Sequence, residues 1–268
     1  MSQYYLFKEI FKGVSLEMED LYLLESFQIE YFRDRIPEVE LAAVLWANPS
    51  VKRFLVKKCP SINDYIEKVM SQNAAVTDEK KLVACIDKVL WAIADLIIYN
   101  KYPEVYDRLE FHDWDFREVT IITPLNGKIV IDGGAGTGRV TLEAANTAGQ
   151  VYAIEPVGRL RRFIREKALE SHRNNIFVLE GFLHAIPLPD RFADILITSH
   201  ALGWQLENEL REFERVVKKG GYIIHCPGTA EVAEEEDQHY RLTSCDWRYD
   251  FSRYEESDGW KRKYWKQL

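Results

Sequence analysis

VIDGGAGTGRVT, residues 130–141, decides how the rest of the chain is read. Four glycines fall within six positions, directly behind an aspartate, so the backbone here is built to approach something closely. A phosphate loop of the Walker type needs Gly, four residues, then Gly-Lys-Ser/Thr, and no lysine follows these glycines. A dinucleotide fingerprint needs G-x-G-x-x-G, whereas Gly134, Gly136 and Gly138 stand in G-x-G-x-G register and Arg139 occupies the final position. Asp132 sits at the carboxyl end of an apolar run, where open α/β sheets bind ligands. A carboxylate there repels a pyrophosphate and attracts a cation.

Working outward, short β-branched runs alternate with amphipathic stretches. The runs are KIVID (128–132), QVYAIE (150–155), NIFVLE (175–180), ADILITS (193–199) and GYIIHC (221–226). Between them lie RVTLEAANTAG, PVGRLRRFIREKALESH and QLENELREFERVVKKGG, the last with Leu206, Leu210, Phe213 and Val217 on one face and a helix end expected at Gly220–Gly221. Strands alternating with helices predict a parallel, doubly wound α/β sheet. A helix is expected over EVAEEEDQHYRLTS, then a hairpin from CDWRYDFSRYEE and GWKRKYWKQL around SDG. Five parallel strands and an antiparallel pair make a mostly parallel, seven-stranded sheet.

Upstream the texture is helical, and Gly13 is the only glycine before Gly127. DEKKLVACIDKVLWAIADLIIYNKYPE reads as one helix with Leu82, Ile86, Val89, Leu90, Ile93 and Ile97 at helical spacing, Asp78 capping its start and Pro103 beyond its end. NPS (48–50) and CPS (59–61) punctuate earlier helices. The expected organisation is an α-helical region at 1–118 and an α/β domain at 119–268.

The bulk numbers set limits. A net charge of −8 with 47% apolar residues argues against non-specific binding to nucleic acid or to an anionic membrane. The most apolar run, VLWAIADLII (89–98), is too short to span a bilayer and contains Asp95. The start, MSQYYLFKEIFKGVSLEMED, has charges every few residues and lacks the uninterrupted apolar core of a signal peptide. Cysteines 59, 85, 226 and 245 lack metal-ligand or redox spacing and read as buried thiols in a reducing, cytoplasmic compartment.

VIDGGAGTGRVTLEAA resembles the first motif of the class I S-adenosylmethionine-dependent methyltransferases, D-x-G-x-G-x-G, in their type 11-like branch. Asp132, Gly134, Gly136 and Gly138 match it, and Gly133 stands where a small apolar residue is commoner. Further stretches follow in the family's order: Glu155 ending the second strand, EGFLHAIPLPDRFADILITS with Gly181, Pro187, Asp190, Phe192 and Asp194 aligned, and FERVVKKGGYIIHC before the fifth strand. The resemblance implies S-adenosyl-L-methionine as cofactor and no metal. It places Asp132, Gly133, Gly134, Ala135, Gly136, Thr137 and Gly138 around the methionine part. Glu155 and Pro156 fall at the ribose, Gly181, Phe182 and Leu183 at the adenine, and Ser199 and His200 at the edge beyond the fourth strand. Pro156 is expected to start the next helix. Phe182 replaces the usual acid and cannot accept a hydrogen bond from the adenine amino group, though it can pack on the purine.

Methyl transfer is an in-line displacement for which the protein supplies alignment and a dry pocket. His200 is the candidate base for an oxygen acceptor, the alternative being a loop-ordering or solvent-facing histidine. His184 is a weaker candidate, and His225 and Cys226 read as core. Trp114, in FHDWDF (111–116), could shield the sulfonium or pack the helical half onto the sheet. RLRRFIR (159–165), KRKYWK near the end and EEED (234–237) read as solvated faces. The helical region could lid the site, line an acceptor pocket with Trp46 and Trp91, or bring two copies together as a homodimer. The expected activity is methyl transfer to oxygen or nitrogen of a small molecule. The rivals are a protein or RNA methyltransferase, a non-catalytic regulator that binds the cofactor and, more distantly, a nicotinamide oxidoreductase.

Overall fold

The computed structural model describes residues 3–109, 114–226, 233–256 and 259–268. The chain forms two compact units, Met1–Tyr106 and Asp107–Leu268. Residues 107–109 and 114–118, grouped above with the helical region, fall in the second unit.

The first unit is helical. Its main helices are Gln3–Ile10, Glu38–Ala47, Pro49–Lys58, Asn63–Gln72, Glu79–Ala92 and Ala94–Lys101. Pro49 opens its helix at a position where the missing N–H costs nothing, and Pro60 opens a short 3₁₀ turn. Asp78 caps as expected, its carboxylate accepting the Lys81 N–H at 3.0 Å. The stretch 79–101 is two helices rather than one. Ile93 leaves the helical conformation (φ −128°, ψ 25°) and is fully buried, so core packing of this side chain takes precedence over helical continuity. Leu41, Val44, Leu45, Leu55, Ile66 and Ile93 share one core.

The second unit holds a seven-stranded sheet in the order β3-β2-β1-β4-β5-β7-β6. Its strands are β1 (Ile129–Gly133), β2 (Gln150–Ile154), β3 (Ile176–Leu179), β4 (Ala193–Ser199), β5 (Val217–Cys226), β6 (Asp250–Glu256) and β7 (Gly259–Gln267). The first five run parallel, and β7 lies antiparallel between β5 and β6. Central β4 is buried along nearly its whole length, as a parallel strand covered on both faces must be. Helices Arg139–Ala144, Gly158–Glu170 and Leu206–Val216 make the crossovers, and Ala233–Thr243 precedes the hairpin.

Four further readings change. Gly220–Gly221 do not cap a helix: Leu206–Val216 ends earlier, and both glycines lie within β5 beside an irregularity in its pairing with β4. A Cβ on Gly221 would lie 2.6 Å from the Asp194 carbonyl oxygen, so the glycine serves close strand approach. Pro156 does not start a helix; the helix begins at Gly158, with Val157 as its N-cap. The cysteines differ from the expected pattern, with Cys59 and Cys226 buried, Cys85 half-buried and Cys245 exposed. Lys261, Arg262 and Lys263 on β7 are buried, and the Lys263 ammonium lies 2.6 Å from the Glu118 carboxylate.

The other basic segment behaves as a solvated face. Arg159 and Arg162 pair with Glu166, and Arg161 pairs with Glu180. No helix among the described residues is long and apolar enough to cross a membrane.

Candidate functional site

The glycine loop leaves β1 at the carboxyl edge of the sheet, and short bonds tie it down. The N–H groups of Gly134 and Ala135 both donate to the Ile154 carbonyl, at 2.9 and 3.0 Å, and Gly138 N–H donates to Ala135 at 2.7 Å. Gly134, Gly136 and Gly138 all have positive φ (69°, 54° and 83°), which side chains resist. Gly138 also allows close packing, because a Cβ there would stand 2.9 Å from the Ile164 side chain. Gly133 has a similar cause in its neighbours. A Cβ on it would meet Leu183 at 2.8 Å and Thr198 at 3.3 Å, so the extra glycine lets the loop after β3 and strand β4 itself close on β1.

The two acids of the motif are buried. Asp132 is 1% exposed and accepts the Thr141 hydroxyl, linking the end of β1 to the helix that follows the loop. Burial pushes its carboxyl up to about 7, against the pull of the Thr141 hydroxyl and backbone N–H. Glu155 accepts Gly136 N–H on one oxygen and Val157 N–H on the other, each at 2.9 Å. Its carboxyl too is pushed up to about 7 by burial, with those N–H groups and Arg161 opposing. Each Glu155 oxygen keeps a second lone pair, so capacity to accept from a ligand remains. Between the acids, Thr137 is 1% exposed and its hydroxyl has no hydrogen-bond partner.

Beyond β3, Gly181 packs where a Cβ would lie 2.7 Å from Pro187 and 2.9 Å from Ile154. Phe182 stacks on His184 with ring centroids 5.3 Å apart, and Leu183 is buried. This loop is held from below by residues that sequence reasoning did not single out. Glu212 accepts Ile186 N–H at 2.7 Å, and Arg215 donates to the Ile186 and Leu188 carbonyls and to Asp190. Asp194, aligned with the family motif, accepts Ile129 N–H at 2.8 Å and pairs with Lys218, which is a tie within the sheet.

Beyond β4, Ala201 stacks directly on the glycine loop, and a Cβ on Gly134 would lie 2.4 Å from the Ala201 Cβ. The loop then runs to the helix Leu206–Val216, where buried Glu209 accepts the N–H groups of Gly203 at 2.8 Å and Gln205 at 2.9 Å. An acid in the first turn of that helix was the only local signal for this clamp. A cleft of about 850 Å³ lies between this loop and the helix Ala233–Thr243, with Thr198, His200, Trp204, His225, Gln238 and Arg241 in its wall. His200 is exposed, has φ 54°, and its Nδ1 lies 2.9 Å from the Ser199 hydroxyl.

The structure therefore brings Asp132, Thr137, Glu155 and the glycines together and places His200 at the cleft, with Ser199 beside it as its hydrogen-bond partner. Trp114 is buried against Val119, Leu125 and Val130 in the core of the second unit. Residues 111–113 of its segment lie outside the described residues, as do the side chains of Glu234, Glu235 and Glu236. Among the described residues no group of three His, Cys, Asp or Glu is placed to hold a metal ion.

Comparison with known proteins shows what the second unit is similar to. Residues 131–225 match the model of a family described as a methyltransferase domain. An uncharacterized methyltransferase of Geobacillus sp. (strain WCH70) is 24% identical over 140 residues, which cover 47% of this chain and 64% of that protein. The match thus spans less than two thirds of that relative's length. The malonyl-[acyl-carrier protein] O-methyltransferase of Yersinia pestis is 30% identical over 100 residues, 37% of this chain and 36% of that protein. Among solved structures, an S-adenosylmethionine-dependent methyltransferase from Aquifex aeolicus shares the fold with a TM-score of 0.53 at 22% identity, covering 62% of this chain and 96% of that one.

Proposed function

From a chain whose residues 131–225 form a class I S-adenosylmethionine-dependent methyltransferase domain, we propose an enzyme that methylates oxygen or nitrogen of a small molecule. The observation that carries this is Ala201, which packs on Gly134 with one side of its loop and lines the cleft of about 850 Å³ with the other. One short loop thus separates the glycine turn from a cavity of small-molecule size.

The residues suit S-adenosylmethionine on three counts. Thr137 offers a buried hydroxyl without a partner. Asp132 and Glu155 are desolvated acids whose charged forms a cationic ligand stabilises. The positive-φ glycines keep side chains off the loop. Asp132, Thr137 and the glycine N–H groups would hold the methionine part, and Glu155 the ribose hydroxyls. Phe182 and Leu183 would pack on the adenine. When bound, the cofactor supplies an electrophilic methyl group on sulfonium, so the protein's work is alignment and exclusion of water. His200, in the cleft wall with its Nδ1 at the Ser199 hydroxyl, would take the acceptor's proton. The name of the Yersinia relative, an O-methyltransferase, supports oxygen as the acceptor atom.

The test is calorimetric titration with S-adenosylmethionine and with its demethylated product, repeated on Asp132→Ala and Glu155→Ala. Binding by the unmutated protein that both substitutions weaken is the expected result; no binding by the unmutated protein sinks the reading.

A further inference from the structure

His225 on β5 reads from sequence as a core residue, and it is 1% exposed. It also stands in the wall of the cleft beside Thr198. Its Nδ1 lies 2.7 Å from the Thr198 hydroxyl, and its ring packs against Phe213 and Tyr249, with centroids 5.5 and 5.1 Å away. Its Nε2 is buried and has no hydrogen-bond partner. A buried polar nitrogen left unpaired costs about 1–3 kcal/mol, and the ring that carries it lines the cleft, which makes a guest in the cleft its available partner.

Resting on the methyltransferase reading above, we infer that this cleft takes a neutral, hydroxyl-bearing acceptor whose hydroxyl pairs with Nε2 of His225. The pairing at Nδ1 leaves Nε2 either a donor or an acceptor, according to which partner carries the proton. A hydroxyl is both donor and acceptor and satisfies either tautomer. An ammonium only donates, and a carboxylate or an ether only accepts. Charge in the wall points the same way. Among the described lining residues, Glu207 and Asp237 face a single arginine, Arg241, which is 2.9 Å from Glu207, so the balance repels an anionic acceptor. Trp204, Leu202 and Leu206 supply apolar surface for a ring or chain carrying the hydroxyl.

His225 orients the hydroxyl and does not deprotonate it. Burial lowers its imidazole to about 3, far too weak a base to hold a proton at neutral pH. Proton removal is left to another group in the wall, as proposed for His200. His225 is thus an acceptor-contacting residue and Thr198 the positioning residue that holds its ring.

The test uses three probes of one ring size: 2-naphthol, 2-methoxynaphthalene and 2-naphthoate. Binding is followed by calorimetry and by the ring-nitrogen resonances of His225. In the unmutated protein the naphthol should bind at least tenfold tighter than the ether and the naphthoate, and should shift the His225 Nε2 signal. His225→Phe, which keeps an aromatic ring against Phe213 and Tyr249, should bring naphthol and ether within about twofold of each other. The ring-nitrogen measurement needs no variant and stands even if His225→Phe fails to fold. Equal binding of naphthol and ether, tightest binding of naphthoate, an unmoved His225 signal, or no naphthol binding up to its solubility limit would each overturn the inference. Titration with S-adenosylmethionine separates the two readings. If it binds and the hydroxyl preference is absent, only this inference falls; if it does not bind, the methyltransferase reading falls whatever the naphthols do.

Discussion

Both units use ion pairs as cross-links, and they differ in where polar capacity is left unused. In the helical unit the pairs cross-link helices. Lys8 meets Asp87 at 2.7 Å, Arg35 meets Asp95 at 2.7 Å, and Lys101 meets Asp20 at 2.9 Å. Only Gly13 relaxes its backbone. In the α/β unit, Asp132 and Glu155 are held by a hydroxyl and backbone N–H groups, and Thr137 and His225 keep atoms without partners. The helical unit also has unpartnered oxygens, on Tyr65 and Asp95, but those belong to no site described above, whereas Thr137 stands in the glycine loop and His225 in the cleft wall.

The strongest attempt to break this contrast is Gly134→Val. The position has φ 69°, and its Cβ would fall 2.4 Å from the Ala201 Cβ. Strain and overpacking together cost about 3 kcal/mol or more, and S-adenosylmethionine affinity should fall more than a hundredfold by calorimetry. Gly220→Ala is the control. It has φ 77° with open space around the Cβ, so it should cost about 1–2 kcal/mol in stability and leave binding unchanged. Equal binding losses in the two variants would mean that the loop is merely a turn.

The next effect is a pH dependence. A carboxyl whose folded pKa lies above its unfolded one contributes stability that is present below the unfolded value and is lost as pH rises through the folded value. Glu155 sits at about 7 against an ordinary 4.5, so its ionised form destabilises the fold at pH 8. Glu155→Gln should therefore gain on the unmutated protein by about 2–3 kcal/mol between pH 5 and pH 8, several degrees in melting temperature. A pH-independent difference would show that its carboxyl is not held up in the folded state. The cofactor's cationic groups should also lower the two raised pKa values, so that binding at pH 7 releases protons and the measured heat varies with buffer ionisation enthalpy.

Thr137→Val separates ligand binding from folding. Removing a buried hydroxyl that has no partner should leave stability unchanged or raise it by about 1 kcal/mol. S-adenosylmethionine affinity should drop about tenfold, the worth of one good hydrogen bond. A destabilised variant with intact affinity would make Thr137 a structural residue.

Much of this unit was legible because its signals are local. The register of Gly134, Gly136 and Gly138 and the alternation of apolar runs each reflect a backbone requirement written within a few residues. What escaped depends on partners distant in sequence. Gly220–Gly221 look like a helix stop, but the Asp194 carbonyl on the neighbouring strand is what demands Gly221. Ile93 fits a helical stripe, yet the core claims it and the helix breaks. Gly133 acquires a reason only when Leu183 and Thr198 arrive beside it. Glu209 looks like any acid in a first turn until the Gly203 and Gln205 N–H groups converge on it. His225 was visible as a histidine in an apolar strand, but that Thr198 on the next strand pairs one ring nitrogen and nothing pairs the other shows only in the structure.

The smallest effect probes the scaffold side. Lys8 ties the first helix to Glu79–Ala92 through Asp87 and also reaches the Tyr4 hydroxyl at 2.6 Å, across 79 positions of sequence in the first case and four in the second. Both members of the ion pair remain more than a third exposed, so water screens the pair and limits its worth. Lys8→Ala should cost about 0.5 kcal/mol in urea unfolding, falling toward zero in 1 M salt as screening removes what remains. S-adenosylmethionine should bind it as it binds the unmutated protein. A clear loss of affinity would show that this cross-link supports the binding unit as well as its own helices, and the division of labour between the two units would have to be redrawn.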